Sequence, residues 1–246
     1  DCIRGTDRTG LRLMQQPFDF IGDYSMSINT KQSIKCPKCG QMSDITVWNS
    51  ITVKDSEDLK HDLLKGKVNI FHCPSCSHTG LMPSPLLYHD EDKKLMISFS
   101  PCNDAKIKKK LYDEICKSSA ESGEIEKLSG YNLRFVTDYN ELLEKILIFD
   151  SGLNDKTIEV LKLMVLMQDE EKMQDRSCRF GKCEDGAIEF MIQDMKEVQV
   201  YTSSVPMSTY NLVHKSLLES GVKDYSFGWE TVNGEYASRL LNGFNN

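Results

Sequence analysis

Four cysteines fall in two copies of one short pattern. The stretch "IKCPKCGQMS" (34–43) holds Cys36 and Cys39 two residues apart, and "FHCPSCSHTG" (71–80) holds Cys73 and Cys76 at the same spacing. In each copy a proline fixes one backbone angle between the cysteines, and in the first Gly40 permits a left-handed turn straight after. Such a turn aims two sulfurs at one point, and two turns brought together supply four thiolates, the donor set of tetrahedral zinc with bonds of about 2.3 Å. We therefore expect Cys36, Cys39, Cys73 and Cys76 to bind one Zn2+. Four thiolates fill the coordination sphere and leave no place for water, which points to a structural rather than a catalytic metal. Thioredoxin-like redox chemistry needs one pair, not two. His72 and His78 flank the second pair as alternative donors, but both fall outside the repeated spacing.

A small structure must fill the gap between the pairs. "DITVWNSITV" (44–53) is rich in β-branched residues and reads as a strand or hairpin. Asp55 or Ser56 can then cap a helix through about Lys65, stopped at Gly66, and "KVNIFHC" returns as a strand. Beyond it, "PLLYHDEDKKLMISFSP" has the form of a β-hairpin around Asp90 to Asp92, with His89 in a turn hydrogen bond. The module over 26–102 is thus zinc-ribbon-like, with a helical insertion.

The rest of the chain changes period. Residues 103–118 allow a helix with Ile107, Leu111 and Ile115 at four-residue spacing, followed by a Ser/Gly-containing loop. Asp138 with Glu141 resembles a capping box opening a helix that Gly152 ends, and a second helix spans about Asp155 to Asp169, together a helical hairpin. From 177 onward, alternating residues around Glu184–Gly186 and Asp194–Met195 suggest a small β-meander, then a helix over Ser208–Ser220 and a closing strand and short helix. The expected class is α+β, organised as 26–102, a helical region 103–176 and a C-terminal α+β region 177–246. Residues 1–25 show little amphipathic order, and we expect them to be a non-native or disordered upstream segment.

Several segments together are similar to a known family. "IKCPKCG", "FHCPSC", "PLLYHDEDKKLMISFSP" and "LRFVTDYNELLEKILIFDSGLNDKTIEVLKLMVL" resemble the CpXC family, bacterial proteins named for the repeated cysteine motif, over about residues 34–167. The resemblance implies a metal-binding domain of unknown biochemical function. It carries over onto Cys36, Cys39, Cys73 and Cys76 as metal ligands and brings no catalytic residue. Ser77 departs from the motif by standing where its usual glycine would be.

Function is then a matter of exclusion and charge. No phosphate loop, dinucleotide fingerprint, nucleophile elbow or zinc-protease helix is present, so we expect no enzyme, with a hydrolase or transferase as the least favoured reading. A Cys–His pair using Cys102 or Cys116 has no local support, and Cys178 with Cys183 lacks a second pair. Residues 26–110 hold 13 Lys/Arg against 9 Asp/Glu, whereas 111–246 hold 14 against 24. A zinc-ribbon nucleic-acid-binding or transcription-associated protein is the alternative, but an acidic chain without a basic, aromatic-laced stripe argues against it, and Lys108–Lys110 reads as a solvated face. No apolar run reaches membrane-spanning length. An odd count of nine cysteines and no basic-then-apolar opening lead us to expect a reducing, cytoplasmic compartment. The leading expectation is a zinc-stabilised, non-catalytic binding or assembly module with a protein partner yet to be identified.

Overall fold

The computed structural model describes residues 26–244, so the expectation for 1–25, Cys2 included, lies outside the described residues. The fold is α+β. Two compact units divide the chain: one runs up to Tyr139 and includes Phe227–Trp229, the other comprises Asn140–Ser226 and the residues from Glu230 onward. Among the described residues no helix is long and apolar enough to cross a membrane.

The first unit is built on a five-stranded sheet. Its strands are β1 (Ile28–Lys35), β2 (Met42–Thr52), β5 (Leu86–Asp90), β6 (Leu95–Phe99) and β7 (Asn132–Val136), in the order β1-β2-β5-β6-β7. β1 and β2 form an antiparallel hairpin from Ile28↔Ser50 to Lys35↔Met42, and the end of β2 continues in parallel beside β5. Every position of β5, β6 and β7 is buried, as expected for strands covered on both faces. Helix α1 (Glu57–Leu64) follows β2, and a small two-stranded ribbon, β3 (Ile70–His72) with β4 (Thr79–Leu81), precedes β5.

Helix α2 (Ala105–Ser122) connects β6 to its parallel neighbour β7, with the short α3 (Glu124–Lys127) between. The Asp104 side chain accepts from the backbone N–H groups of Lys106 and Ile107 at 2.9 and 3.0 Å and starts α2; Gly123, left-handed at φ 67°, stops it. Leu111 and Ile115 bury against Leu87, Met96, Leu133 and Phe135. Trp229 joins this cluster from more than a hundred residues away. Its Nε1–H donates to Ser119 Oγ at 2.8 Å, and its carbonyl oxygen accepts from Tyr112 Oη at 2.7 Å.

The second unit wraps helices around one central helix. α4 (Tyr139–Asp150) leads to α5 (Asp155–Met167), whose first seven residues are all buried. Asn154 caps α5 by accepting from the N–H groups of Lys156 and Thr157. After a 3-10 turn (Glu170–Asp175) come β8 (Arg176–Glu184), β9 (Ala187–Asp194) and β10 (Gln199–Pro206), an antiparallel meander in the order β10-β9-β8. Asp185 and Gly186 both have positive φ, as a tight two-residue hairpin turn requires. Cys178, Phe180, Ile188, Phe190, Ile192 and Val205 cover one face of this sheet and pack with Ile158, Leu161, Val165 and Tyr210. Helices α6 (Met207–Glu219) and α7 (Gly234–Phe244) complete the unit, and a second cluster joins Val160, Leu163, Leu217 and Ala237.

Trp229→Ala removes a large buried ring and the Nε1–H hydrogen bond to Ser119, so denaturant unfolding followed by circular dichroism should show a loss of roughly 3–5 kcal/mol. Trp229→Phe keeps most of the volume and should lose only about 1–2 kcal/mol, chiefly the hydrogen bond to Ser119.

Candidate metal centre

Each cysteine pair sits in the tip that joins two strands. Residues 36–41 link β1 to β2, and residues 73–78 link β3 to β4. The two tips share one backbone pattern. In the first, Cys36 N–H donates to Gln41 O at 2.8 Å and Gly40 N–H to Cys36 O at 2.9 Å; in the second, Cys73 N–H donates to His78 O at 2.8 Å and Ser77 N–H to Cys73 O at 3.0 Å. Both turns need a left-handed residue after the second cysteine, Gly40 at φ 77° and Ser77 at φ 56°. Glycine adopts this region freely; serine enters it at a cost of about 1–2 kcal/mol.

The four sulfurs meet. Cys36 Sγ lies 3.7 Å from Cys76 Sγ and Cys39 Sγ 3.5 Å from Cys73 Sγ, and all four fall within 4.8 Å of one another. A tetrahedron of sulfurs around a metal at about 2.3 Å has edges of about 3.8 Å, so the spacing suits shared coordination. Cys36 and Cys73 are buried, and Cys39 is exposed. Phe71, Ile34, Ile45 and Met82 pack around the inner pair.

One residue outside the motif holds the tips in register. Asn69, at φ 56°, precedes β3; its Oδ1 accepts from Trp48 N–H at 2.7 Å, and its Nδ2 donates to Trp48 O at 3.0 Å. Its own carbonyl accepts from Met82 N–H at 2.8 Å. The side chain thereby substitutes for a strand neighbour on β2 and fixes the β3–β4 ribbon beside the β1–β2 hairpin. The only sequence signal for this is that asparagine tolerates the left-handed region better than most residues.

Electrostatics favour a cation at the cluster. Burial opposes ionisation of Cys36, but donation from the backbone of Cys39 and Lys38 outweighs it and brings the thiol down to about 6. Cys76 is pushed up to about 12: a backbone hydrogen bond at His78 lowers it, while burial and the other three thiols raise it. Four sulfurs this close do not ionise together unless positive charge is shared among them.

The other residues weighed from sequence lie elsewhere. His72 Nδ1 is 3.1 Å from Thr79 Oγ1 on the ribbon surface, and the His78 ring stands 6.5 Å from Phe71. His89 belongs to β5 rather than to the turn, with Nε2 3.2 Å from Tyr131 Oη, while Asp90 Oδ1 makes the turn bond from Lys93 N–H. The Cys102 thiol lies 3.5 Å from the Asp104 carbonyl oxygen. Burial raises the Cys116 thiol and pushes Cys178 up to about 12, the reverse of an activated nucleophile.

A second cluster of ionisable groups was not foreseen. In the second unit Lys145 Nζ stands 3.0 Å from Glu159 Oε1 and 3.3 Å from Asp155 Oδ2, and Lys162 Nζ lies 2.9 Å from Glu144 Oε1 and 3.0 Å from Glu159 Oε1. Phe180 N–H on β8 donates to Glu144 Oε1 at 2.6 Å. Burial alone would discharge Lys145, but Glu159 and Asp155 hold its pKa above the usual lysine range. Burial likewise works against Glu159, and Lys145 with Lys162 reverses it to below the usual carboxylate range. These pairs tie α4, α5 and β8 together. The lysines and the Phe180 amide already engage Glu144 and Glu159, so the cluster reads as packing. Beside it, burial pushes the Glu141 carboxyl up to about 7 against the pull of Lys145.

The fold and the cysteine cluster define an α+β protein with a four-sulfur site able to hold a metal ion. The chain belongs to the CpXC family: the family description "CpXC protein" matches residues 34–162, which include all four cysteines. No curated protein and no solved structure matches the chain.

Two outcomes follow from this geometry. Asn69→Ala leaves the Trp48 backbone groups unpaired and should cost roughly 1–3 kcal/mol in denaturation of the metal-loaded protein, with metal affinity in chelator competition reduced about tenfold. Glu141 binds its proton more tightly folded than unfolded, since its pKa lies above the ordinary 4.5. Its contribution is therefore fully favourable below about pH 4.5 and is lost as pH rises through 7. Denaturation at pH 5.5 and 8.5 should show Glu141→Gln shrinking the alkaline loss by on the order of 2 kcal/mol.

Proposed function

We propose that this CpXC protein is a non-catalytic binding or assembly module whose first unit is stabilised by one structural Zn2+ bound to Cys36, Cys39, Cys73 and Cys76. The observation that carries the reading is the spacing of the sulfurs, 3.5 and 3.7 Å across the two pairs, against the edge of about 3.8 Å for a tetrahedral thiolate site. An all-sulfur tetrahedral donor set favours zinc among the common divalent ions, with iron as the competitor. Four ligands close the coordination sphere, so the ion supplies rigidity and no activated water. Reduced thiols at this site fit a reducing compartment such as the cytoplasm.

The energetic role of the metal follows from the size of the ribbon. β3 and β4 have three residues each. A two-stranded ribbon of that length is not stable alone, and cross-linking its tip to the β1–β2 tip through a metal makes binding free energy into folding free energy. On this reading, the exposed surfaces that the ribbon holds in place carry the binding function.

Purified protein should contain one zinc per chain, and the Cys36→Ser/Cys73→Ser double variant should lose it together with the near-ultraviolet signal of the first unit. Cobalt substitution should give the spectrum of a tetrahedral thiolate site that added small anions do not change. Full zinc occupancy in the double variant, or an anion-sensitive cobalt spectrum, overturns the reading.

A further inference from the structure

We propose that β10 is the seam of a homodimer, pairing antiparallel with β10 of a second copy of this chain about a two-fold axis. The proposal is independent of the metal reading, because β10 lies in the second unit.

β10 is an edge strand. Among the described residues it pairs along all eight positions with β9 and with no other strand, which leaves an outer row of backbone donors and acceptors. Proteins usually blunt such an edge with charge. The other edges longer than three residues are charged or covered: β8 has Arg176, Arg179, Lys182 and Glu184, β1 has Lys31 and Lys35, and β7 is buried at every position. β10 reads "QVYTSSVP" and has none. The chain as a whole carries −7, so two copies repel over most of their surface and least along an uncharged strand. With Thr202 on the two-fold axis, Val200 of one copy faces Ser204 of the other and no charges are opposed.

The neighbouring surface is apolar. Val200 and Met191 are 66% and 44% exposed, and Val200↔Gln193 beside Thr202↔Met191 places both on the same outer face. At the β9–β10 tip, Met195 and Val198 are 63% and 83% exposed. Val198 holds φ 53°, a strained conformation for a β-branched residue.

The hairpin is also held in place before any partner arrives. Arg176 bonds Asp169 at 2.8 Å and Asp194 at 3.3 Å, Lys196 bonds Asp175 at 2.7 Å, and Lys172 bonds Glu197 at 3.0 Å. Asp194 Oδ1 accepts from the backbone N–H groups of Lys196 and Glu197. A preformed edge loses little conformational freedom on pairing.

A seam of this length lies at the small end of specific interfaces, below about 1,200 Å2, so the dimer forms in a concentration-dependent way. Sedimentation of the full chain from about 1 to 100 µM should show the mass moving from one chain towards two. Thr202→Lys, which sets two lysines face to face at the axis, should weaken the dimer at least about tenfold with circular dichroism and metal content unchanged. In the wild type, hydrogen exchange at the β10 amides that point away from β9 should slow as concentration rises; this readout decides alone if the variant does not fold. A chain monomeric throughout that range overturns the proposal. So does a dimer that Thr202→Lys leaves intact while the β10 amides exchange independently of concentration.

Discussion

Like-charge repulsion among four sulfurs governs the first unit. Thiols held 3.5–3.7 Å apart by two separate tips do not all ionise unless a cation lies among them, and unionised they offer only weak sulfur contacts. Everything that brings the tips together must therefore act before or alongside that cation. The β1–β2 hairpin has a long paired register, whereas the β3–β4 ribbon has three pairs and leans on Asn69, Phe71 and the packing of Met82. The site thus joins a sturdy element to a weak one, and the weak one gains most from the link.

Local signals in the sequence were read well because their causes are local. The cysteine spacing and its turn residues define each tip without reference to the rest of the chain. Ser56 precedes α1 and Gly66 follows it, and the alternation of 176–206 emerges as three strands. α2 runs four residues past the expected Ser118, to the left-handed Gly123. β7 went unrecognised because Arg134 interrupts its apolar run, yet the structure buries that guanidinium, with Asn132 Oδ1 accepting from it at 2.8 Å. Phe227–Trp229, expected near a closing strand, forms none, and Trp229 fills the core beside α2. Nothing near Trp229 in the chain announces a partner that far away.

The charged residues of α4 and α5 show a different limit. Periodicity separates apolar from polar positions on the assumption that polar means outward, which holds for a helix with one solvated face. α5 is covered by β8, α6 and α7, so Asp155, Lys156 and Glu159 turn inward with their neighbours and are neutralised by pairing. Lys156 reaches Glu230 at 3.0 Å and the carbonyl oxygens of Lys223 and Tyr225. Buried pairs of this kind contribute little net stability, but breaking one partner is costly, so they narrow the ways the helices can pack.

The family match ends at residue 162, inside α5 and two turns after its cap at Asn154. A boundary drawn there cuts through a helix whose Ile158, Leu161 and Val165 are inseparable from the β8–β10 sheet and Tyr210. The stretch shared with the family therefore takes in most of the first unit and stops partway through the second. The rest of the second unit's core comes from residues beyond 162, and a fragment stopped there would expose an apolar helix face to water. Inherited motif and autonomous fold have different borders in this chain, and experiments on isolated pieces should follow the second.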